Sequence, residues 1–194
     1  MITLEEFRKL TEELTVEIKT KFQVYYLDYA GLIPNDDQTF RYNPTPKNTV
    51  VFARTGVDGV HFSILQLNNE IQPVVMTVPM NFGGFINEYN WILAENLNEF
   101  LSLGYFNGWF PLEQLCYNKD AVIKFYEKEN VTEEFSMPSG DFYYVKGLRE
   151  KLGFNHILLN WNRLIELENL YFDKLAFEDE YLGNVDLRKK KILE

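Results

Sequence analysis

Three residues of types common in active and binding sites lie close together in the chain: Arg54, Asp58 and His61. In a site, His61 would be a candidate general base, with the two charged residues beside it. The same segment, VVFARTGVDGVHFSIL (residues 50–65), also has the pattern of a hairpin, because β-branched and aromatic residues flank Asp58 and a glycine. An Asp-Gly pair favours the positive φ angles of a two-residue turn. We therefore predict a hairpin turn that lies at an interface.

A two-residue turn at Asp58-Gly59 makes a definite prediction of strand pairing. The predicted opposite pairs are Val57 with Val60, Thr55 with Phe62, Ala53 with Ile64, Arg54 with Ser63, and Phe52 with Leu65. In this register Arg54 and His61 share a face of the hairpin without being paired.

The rest of the sequence contains no catalytic signature. There are two histidines, His61 and His156, and neither has a His-x-x-x-His partner for a metal; no Gly-x-Ser-x-Gly motif is present. Cys116 stands in an apolar helical context, where a free cysteine packs as a small hydrophobe. We therefore predict a protein that is not an enzyme and has no metal and no cofactor. The alternative is a small hydrolase that uses His61 with nearby carboxylates.

Carboxylates are abundant, but none is selected as a catalytic pair. Asp36 and Asp37 lie in a polar loop, and Glu178-Asp179-Glu180 lie on a predicted helix, where adjacent acids point apart. We expect both clusters to be solvated. The candidate partner-binding residues are Asp36, Asp37, Arg54, Asp58, His61, Glu178, Asp179 and Glu180.

Charge and composition restrict the partner and the compartment. With 29 acidic and 19 basic residues the net charge is -10, which disfavours nucleic acid and anionic membranes and favours a basic protein partner. The single cysteine, the charged amphipathic N-terminal sequence and the lack of a long apolar run predict a cytoplasmic protein. The alternative explanation of the charge is solubility alone.

The first element is predicted to be a helix with a defined start. Thr3 and Glu6 form a capping-box pattern, and apolar residues then recur at three- and four-residue steps as far as Phe22. Beyond Phe22 the pattern fits either a helix that continues to Gly31 or a strand that begins near Val24.

The remaining elements indicate an α+β fold: an antiparallel, twisted meander sheet with an N-terminal helix and several C-terminal helices. After a loop at 34–48 we expect the hairpin, a third strand at 71–78 that Pro73 places at a strand start or an edge, and a short strand at 91–94. Helices are predicted at 96–103, 111–128, 141–152 and 155–181, with stops at Gly104, Gly153 and Gly183. The chain is predicted to be one domain, 1–194, with a core at 1–104 and a helical part at 105–194 as the alternative.

The middle of the chain resembles the SUKH superfamily, the cell-wall-assembly-regulator-like proteins that include many bacterial toxin-immunity proteins. The residues that carry the resemblance are TVVFARTGVDGVHFSIL at Thr49 to Leu65, Pro73-Val74-Val75, and Ala94 leading into Leu97-Asn98-Glu99-Phe100-Leu101. The chain departs from that family at Ile33-Pro34, which opens a polar loop rather than a second helix, and in its longer C-terminal helices.

The resemblance implies a non-catalytic function, the binding and neutralisation of a cognate toxin, often a nuclease or a deaminase. It also leaves a regulatory scaffold of cell-wall assembly as a further alternative. A basic toxin fits the acidic charge of this chain.

Overall fold

The structure is a computed structural model that describes residues 2–23, 27–35, 37, 39, 41–67, 71–80, 89–126 and 139–177. It confirms the α+β fold, with an N-terminal helix, a five-stranded antiparallel sheet and several C-terminal helices. Among the described residues, no helix combines the length and the apolar character needed to cross a bilayer.

The chain divides into two compact units, each made of two segments. The first unit contains Met1–Pro34 and Leu97–Leu159, and the second contains Asn35–Asn96 and Asn160–Glu194. The boundary that the sequence offered at residue 104 falls inside the first unit.

The first unit is mainly helical. Its α-helices are α1 (Leu4–Phe22), α2 (Leu97–Leu103), α3 (Lys119–Tyr126) and α4 (Ser139–Leu152), and short 3-10 helices occupy Tyr29–Gly31 and Phe110–Cys116. The helix predicted at 111–128 is thus two pieces, a 3-10 helix and then α3. The break occurs at Asn118, whose side-chain oxygen accepts a hydrogen bond from the Ala121 N–H at 3.1 Å and so starts a new helix.

Helix α1 begins as predicted. The Thr3 hydroxyl accepts from the Glu6 N–H at 3.2 Å, and the Glu6 carboxylate accepts from the Thr3 N–H at 2.8 Å, which completes the capping box. The apolar stripe is buried, with Phe7 and Leu14 among its enclosed residues. The helix does not continue to Gly31: it ends at Phe22, and Gln23 takes the left-handed conformation at φ 52°.

The strands follow one another across the sheet in chain order: β1 (Ile33–Pro34), β2 (Thr49–Arg54), β3 (His61–Leu65), β4 (Val74–Thr77) and β5 (Asn90–Ala94). The meander was therefore predicted correctly. Pro73 lies immediately before β4, where its missing N–H costs no ladder hydrogen bond, and its carbonyl accepts from the Leu65 N–H at 2.8 Å. The reversal predicted at Asn68-Asn69 lies outside the described residues.

The β2–β3 hairpin turns at the predicted residues. Asp58 and Gly59 both have positive φ angles, 49° and 69°, and the Val60 N–H donates to the Val57 carbonyl at 3.0 Å. These are the features of the two-residue turn that an Asp-Gly pair favours. Val57 therefore lies opposite Val60, as predicted.

Beyond the turn, the predicted register was wrong, by two residues at Ala53 and Arg54 and by three at Thr49 to Val51. Gly56, at φ 95°, lies outside the ladder, and the Thr55 N–H bonds to the Val60 carbonyl at 3.0 Å. Ala53 consequently pairs with Phe62. The predicted partners of Ala53, Arg54 and Thr55 are therefore replaced. A second irregularity lies between Val51 and Ala53, so that Leu65, predicted opposite Phe52, pairs with Thr49, and the Phe52 carbonyl accepts from the Asn35 N–H at 2.9 Å.

The core of the second unit joins the sheet to its C-terminal segment. Helix α5 (Trp161–Tyr171) and a 3-10 turn (Phe172–Lys174) belong to this segment. The core residues are buried and apolar: Leu65, Val75, Ile92, Leu167, Tyr171, Phe172, Leu175 and Phe177. The helix predicted to begin at Asn155 begins at Trp161 instead, because the Asn160 side chain caps it by accepting from the Asn162 N–H at 2.8 Å.

Candidate protein-binding site

A row of polar residues crosses one end of the sheet. Arg54 of β2 pairs with His61 of β3, His61 pairs with Thr77 of β4, and Thr77 pairs with Asn90 of β5. Directly paired residues project from the same face of a sheet. The side chains of His61, Thr77 and Asn90 are fully buried, whereas Arg54 is exposed. Buried polar groups have to be hydrogen-bonded to be stable, so the hydrogen-bond partners of this row indicate its structural role.

Both ring nitrogens of His61 are engaged. Nδ1 lies 2.7 Å from the Gly59 carbonyl oxygen and Nε2 lies 3.0 Å from the Thr45 hydroxyl. Because a carbonyl only accepts, Nδ1 carries the proton and donates it, and Nε2 accepts from the hydroxyl. Burial lowers the pKa of His61 to about 4, against the opposing effect of the Gly59 carbonyl, and the charge of Arg41 lowers it further. The imidazole is therefore neutral at pH 7.

The other polar groups of the row hold the loop of residues 41–46, which we call the covering loop. Asn90 accepts from the Thr77 hydroxyl at 2.8 Å and donates its amide N–H to the Pro44 carbonyl at 2.9 Å. The Thr45 hydroxyl accepts from the Tyr42 N–H at 2.9 Å. Asn90 of β5 thus holds the backbone of the covering loop at Pro44, and His61 of β3 holds the loop through the Thr45 hydroxyl.

Tyr42 of the covering loop packs directly on His61 of the polar row. Its ring stacks on the imidazole of His61 with 5.9 Å between ring centroids and an interplanar angle of 21°. The ring also lies against Gly59, because a Cβ added there would come within 2.6 Å of the Tyr42 ring. Tyr42 nevertheless keeps 36% of its surface exposed. One part of the ring therefore packs on the hairpin turn, and the rest is exposed to solvent.

A pocket of about 410 Å³ opens beside Tyr42. It is lined by Arg41, Tyr42, Asn43, Pro44, Pro79, Met80 and Tyr89. Met80 is 45% exposed. Arg41 donates from Nη2 to the Pro46 carbonyl and lies 3.5 Å from the Thr49 hydroxyl, which holds its guanidinium at the pocket.

Exposed apolar residues concentrate around this pocket. In the described part of the second unit, the large apolar side chains that remain exposed are Tyr42, Val57, Met80 and Leu170. Tyr42 and Met80 line the pocket, and Val57 lies in the hairpin loop against which Tyr42 packs. We call these three residues, with Arg41, Asp58 and Tyr89, the turn-end surface.

The predicted site residues differ in their exposure to solvent. Asp37, Arg54 and Asp58 are exposed near the hairpin end, and His61 is enclosed beneath Tyr42. Hydrogen bonds from Thr39, from its hydroxyl first, lower the pKa of Asp37, and the charge of Arg54 contributes to the same shift. The predicted contacts Asp36, Glu178, Asp179 and Glu180 lie outside the described residues.

A second polar cluster links β5 to α5. Glu95 accepts from the Tyr171 hydroxyl at 2.5 Å and from Arg163 at 3.3 Å, and Arg163 also contacts Glu166 at 2.9 Å. The Tyr171 hydrogen bond, and then that of Arg163, lower the pKa of Glu95. This cluster stabilises the attachment of the helix.

Two residues that the sequence offered as candidates for chemistry, Cys116 and His156, belong to the first unit. Cys116 ends a 3-10 helix at intermediate exposure, and the His156 ring packs 4.6 Å from the ring of Phe106. Across the ranges that the structure describes, no group of three or more His, Cys, Asp or Glu residues is arranged to hold a metal ion.

The described part of the chain also contains a strained turn. Tyr29, Ala30 and Gly31 all have positive φ angles, 54°, 51° and 80°. The carboxylate of Asp141 accepts backbone hydrogen bonds from residues 28–30 of this turn, and burial, followed by the charge of Asp28, raises the pKa of Asp141. Asp141 therefore holds a turn whose first two residues lack the conformational freedom of glycine.

Comparison with protein-family models, curated proteins and solved structures finds no match to the chain. The function has to be inferred from the residues and from the geometry of the turn-end surface.

Proposed function

We propose that the chain is a non-catalytic protein-binding module that acts in the cytoplasm by neutralising a cognate bacterial toxin. The observation that carries the binding function is the turn-end surface, where exposed Tyr42 and Met80 line one pocket and exposed Val57 lies in the hairpin loop against which Tyr42 packs. Clustered exposed apolar residues mark interaction sites more reliably than scattered ones do.

The residue types of this surface fit a protein partner. Tyrosine, methionine and arginine are enriched at protein interfaces, and Tyr42, Met80 and Arg41 line the same pocket. The carboxylate of Asp58 lies in the exposed hairpin loop beside them, and the net charge of the chain is -10. A basic protein therefore suits this surface, whereas nucleic acid and anionic membranes are disfavoured.

The toxin-neutralising role rests on the SUKH resemblance of residues 49–103. A nuclease or a deaminase toxin is consistent with the charge, because enzymes that act on nucleic acids carry basic surfaces. No cofactor or metal is needed for such a role.

The environment of His61 favours binding over the hydrolase alternative. A general base has to reach a substrate proton and has to be able to accept it. His61 has no exposed surface, and both of its ring nitrogens are hydrogen-bonded inside the protein. Its low pKa further reduces its strength as a base at neutral pH.

The proposal is tested by mixing the purified chain with the product of the adjacent reading frame and measuring the dissociation constant by calorimetry. Tyr42→Ala should weaken binding at least about tenfold, since buried tyrosine anchors contribute 2 kcal/mol or more. Leu170→Ala is the matched control, because Leu170 is an exposed apolar residue on α5, 45% accessible, outside the turn-end surface. Equal effects of the two substitutions, or no complex, would contradict the proposal.

A further inference from the structure

The walls of the pocket share an affinity for aromatic rings. Tyr42 and Tyr89 contribute aromatic side chains to the lining, Met80 contributes a side chain with a polarisable thioether, and Arg41 contributes one that ends in a guanidinium. Aromatic pairs, sulfur-aromatic contacts and cation-π contacts each favour an aromatic ring over an aliphatic chain of similar size. Pro44 and Pro79, with rigid apolar rings, and Asn43, with a polar amide, complete the lining.

The part of the wall that the covering loop forms is held in place before any ligand arrives. The covering loop is attached through the Pro44 carbonyl to Asn90 and through the Thr45 hydroxyl to His61, and both of these sheet residues are fully buried. Tyr42 is supported on one side by the imidazole of His61. A site whose side chains are already ordered loses less conformational entropy on binding.

We propose that this pocket receives one aromatic side chain of the protein partner as the anchor of the complex. The inference rests on the proposed binding function and adds to it the location of the site and the chemical class of the anchor. The volume of about 410 Å³ is within the range of small-ligand pockets, enough for an aromatic side chain with part of its backbone.

A nucleobase also stacks on tyrosine and arginine, but the rest of the chain opposes a nucleic acid. The net charge of -10 repels a phosphate backbone. Arg41 lines the pocket and is a cation, but its guanidinium is already hydrogen-bonded to the Pro46 carbonyl. An amino-acid side chain carries no such charge. The charge of the chain therefore favours a protein anchor over a nucleobase.

The test uses methyl NMR of the full chain labelled at its methionines. There are four methionines, and the Met80 signal is assigned by its loss in Met80→Leu. N-acetyl-tyrosinamide should shift the Met80 methyl signal upfield through the ring current, with a dissociation constant of about millimolar, as expected for a single side chain. N-acetyl-leucinamide should bind at least about threefold more weakly.

Matched variants locate the binding. Tyr42→Ala should weaken the response to N-acetyl-tyrosinamide about fivefold or more, because it removes one aromatic wall, and Leu170→Ala should leave it unchanged. Equal responses to the two amides, no shift of Met80 at the solubility limit, or a stronger response to adenosine monophosphate would each overturn the inference.

This test does not depend on the partner. Partner binding without a Met80 response to the tyrosine amide would overturn the anchor pocket while leaving the binding module in place. A Met80 response without a complex would support an aromatic-binding pocket and contradict the proposed toxin-neutralising function.

Discussion

The hydroxyl of Thr45 lies 3.0 Å from Nε2 of His61, although the two residues are 16 positions apart in the chain. This hydrogen bond attaches the covering loop to β3 and fixes the tautomer of the buried imidazole, because the other nitrogen donates to Gly59. His61 thereby supports Tyr42 from beneath, and its contribution to a binding surface is to position that ring.

The first prediction concerns the pH dependence of stability. The pKa of His61 is about 4 in the folded chain, against an ordinary value of 6.5, so the unfolded chain binds the proton more readily. The stability contributed by neutral His61 is fully present above pH 6.5 and is lost as the pH falls to about 4. The shift corresponds to about 3 kcal/mol of unfolding free energy.

This dependence can be separated from that of the many carboxylates. Urea unfolding at steps between pH 7 and pH 4 should show a steeper loss for the native chain than for His61→Gln, and the difference between the two curves isolates the histidine. Parallel curves would show that protonation of His61 does not lower the free energy of unfolding.

The second prediction compares two glycines with nearly the same positive φ angle. Gly59 and Gly153 have φ angles of 69° and 68°, but a Cβ at Gly59 meets the Tyr42 ring, whereas a Cβ at Gly153 has no heavy atom within 4 Å. Gly153→Ala should cost about 1 kcal/mol from backbone strain alone. Gly59→Ala should cost at least about 1 kcal/mol more, since it must displace Tyr42.

Chemical denaturation of both variants measures the difference. The Gly59→Ala chain should also lose the N-acetyl-tyrosinamide response at Met80, because the ring of Tyr42 moves. Equal unfolding midpoints for the two variants would show that the turn does not support Tyr42.

The third prediction concerns the start of α1. Thr3→Ala removes the hydroxyl that accepts from the Glu6 N–H and should lower the unfolding free energy by about 0.5–2 kcal/mol. Thr20→Ala, an exposed change in the last turn of the same helix, is the matched control and should cost less than the cap. A smaller effect at Thr3 than at Thr20 would mean that the capping box does not stabilise the fold.

Local patterns in the sequence predicted the parts of the fold that depend on neighbouring residues. The capping box at Thr3, the turn at Asp58-Gly59 and the strand start after Pro73 each depend on residues within a few positions. The hairpin register was not predictable in this way, because the positive φ of Gly56 displaces the pairing and no turn pattern marks Gly56 in the sequence as the Asp-Gly pair marks Gly59.

The candidate site was predicted only in part. Arg54, Asp58 and His61 do lie at one end of the sheet. A hydrogen-bonded, partly buried His61 was expected from its residue type, but its partner could not be named from the sequence, because Thr45 lies in a distant proline-rich loop. Tyr42, Met80 and Tyr89 were missed for the same reason. Their proximity depends on the long-range contacts that join the covering loop to Asn90 and His61.

The most direct test of the central claim is the salt dependence of association with the adjacent-frame product, measured by stopped-flow mixing. A basic partner attracted by the net charge of -10 should associate faster than the neutral range of about 10⁵–10⁶ M⁻¹ s⁻¹ at low salt, and added salt should slow it by screening. Asp58→Lys should reduce the on-rate, whereas Tyr42→Ala should mainly raise the off-rate, because charges steer the encounter and buried anchors set the residence time. Association that is independent of salt, with an off-rate unchanged by Tyr42→Ala, would contradict a basic partner anchored at the turn-end surface.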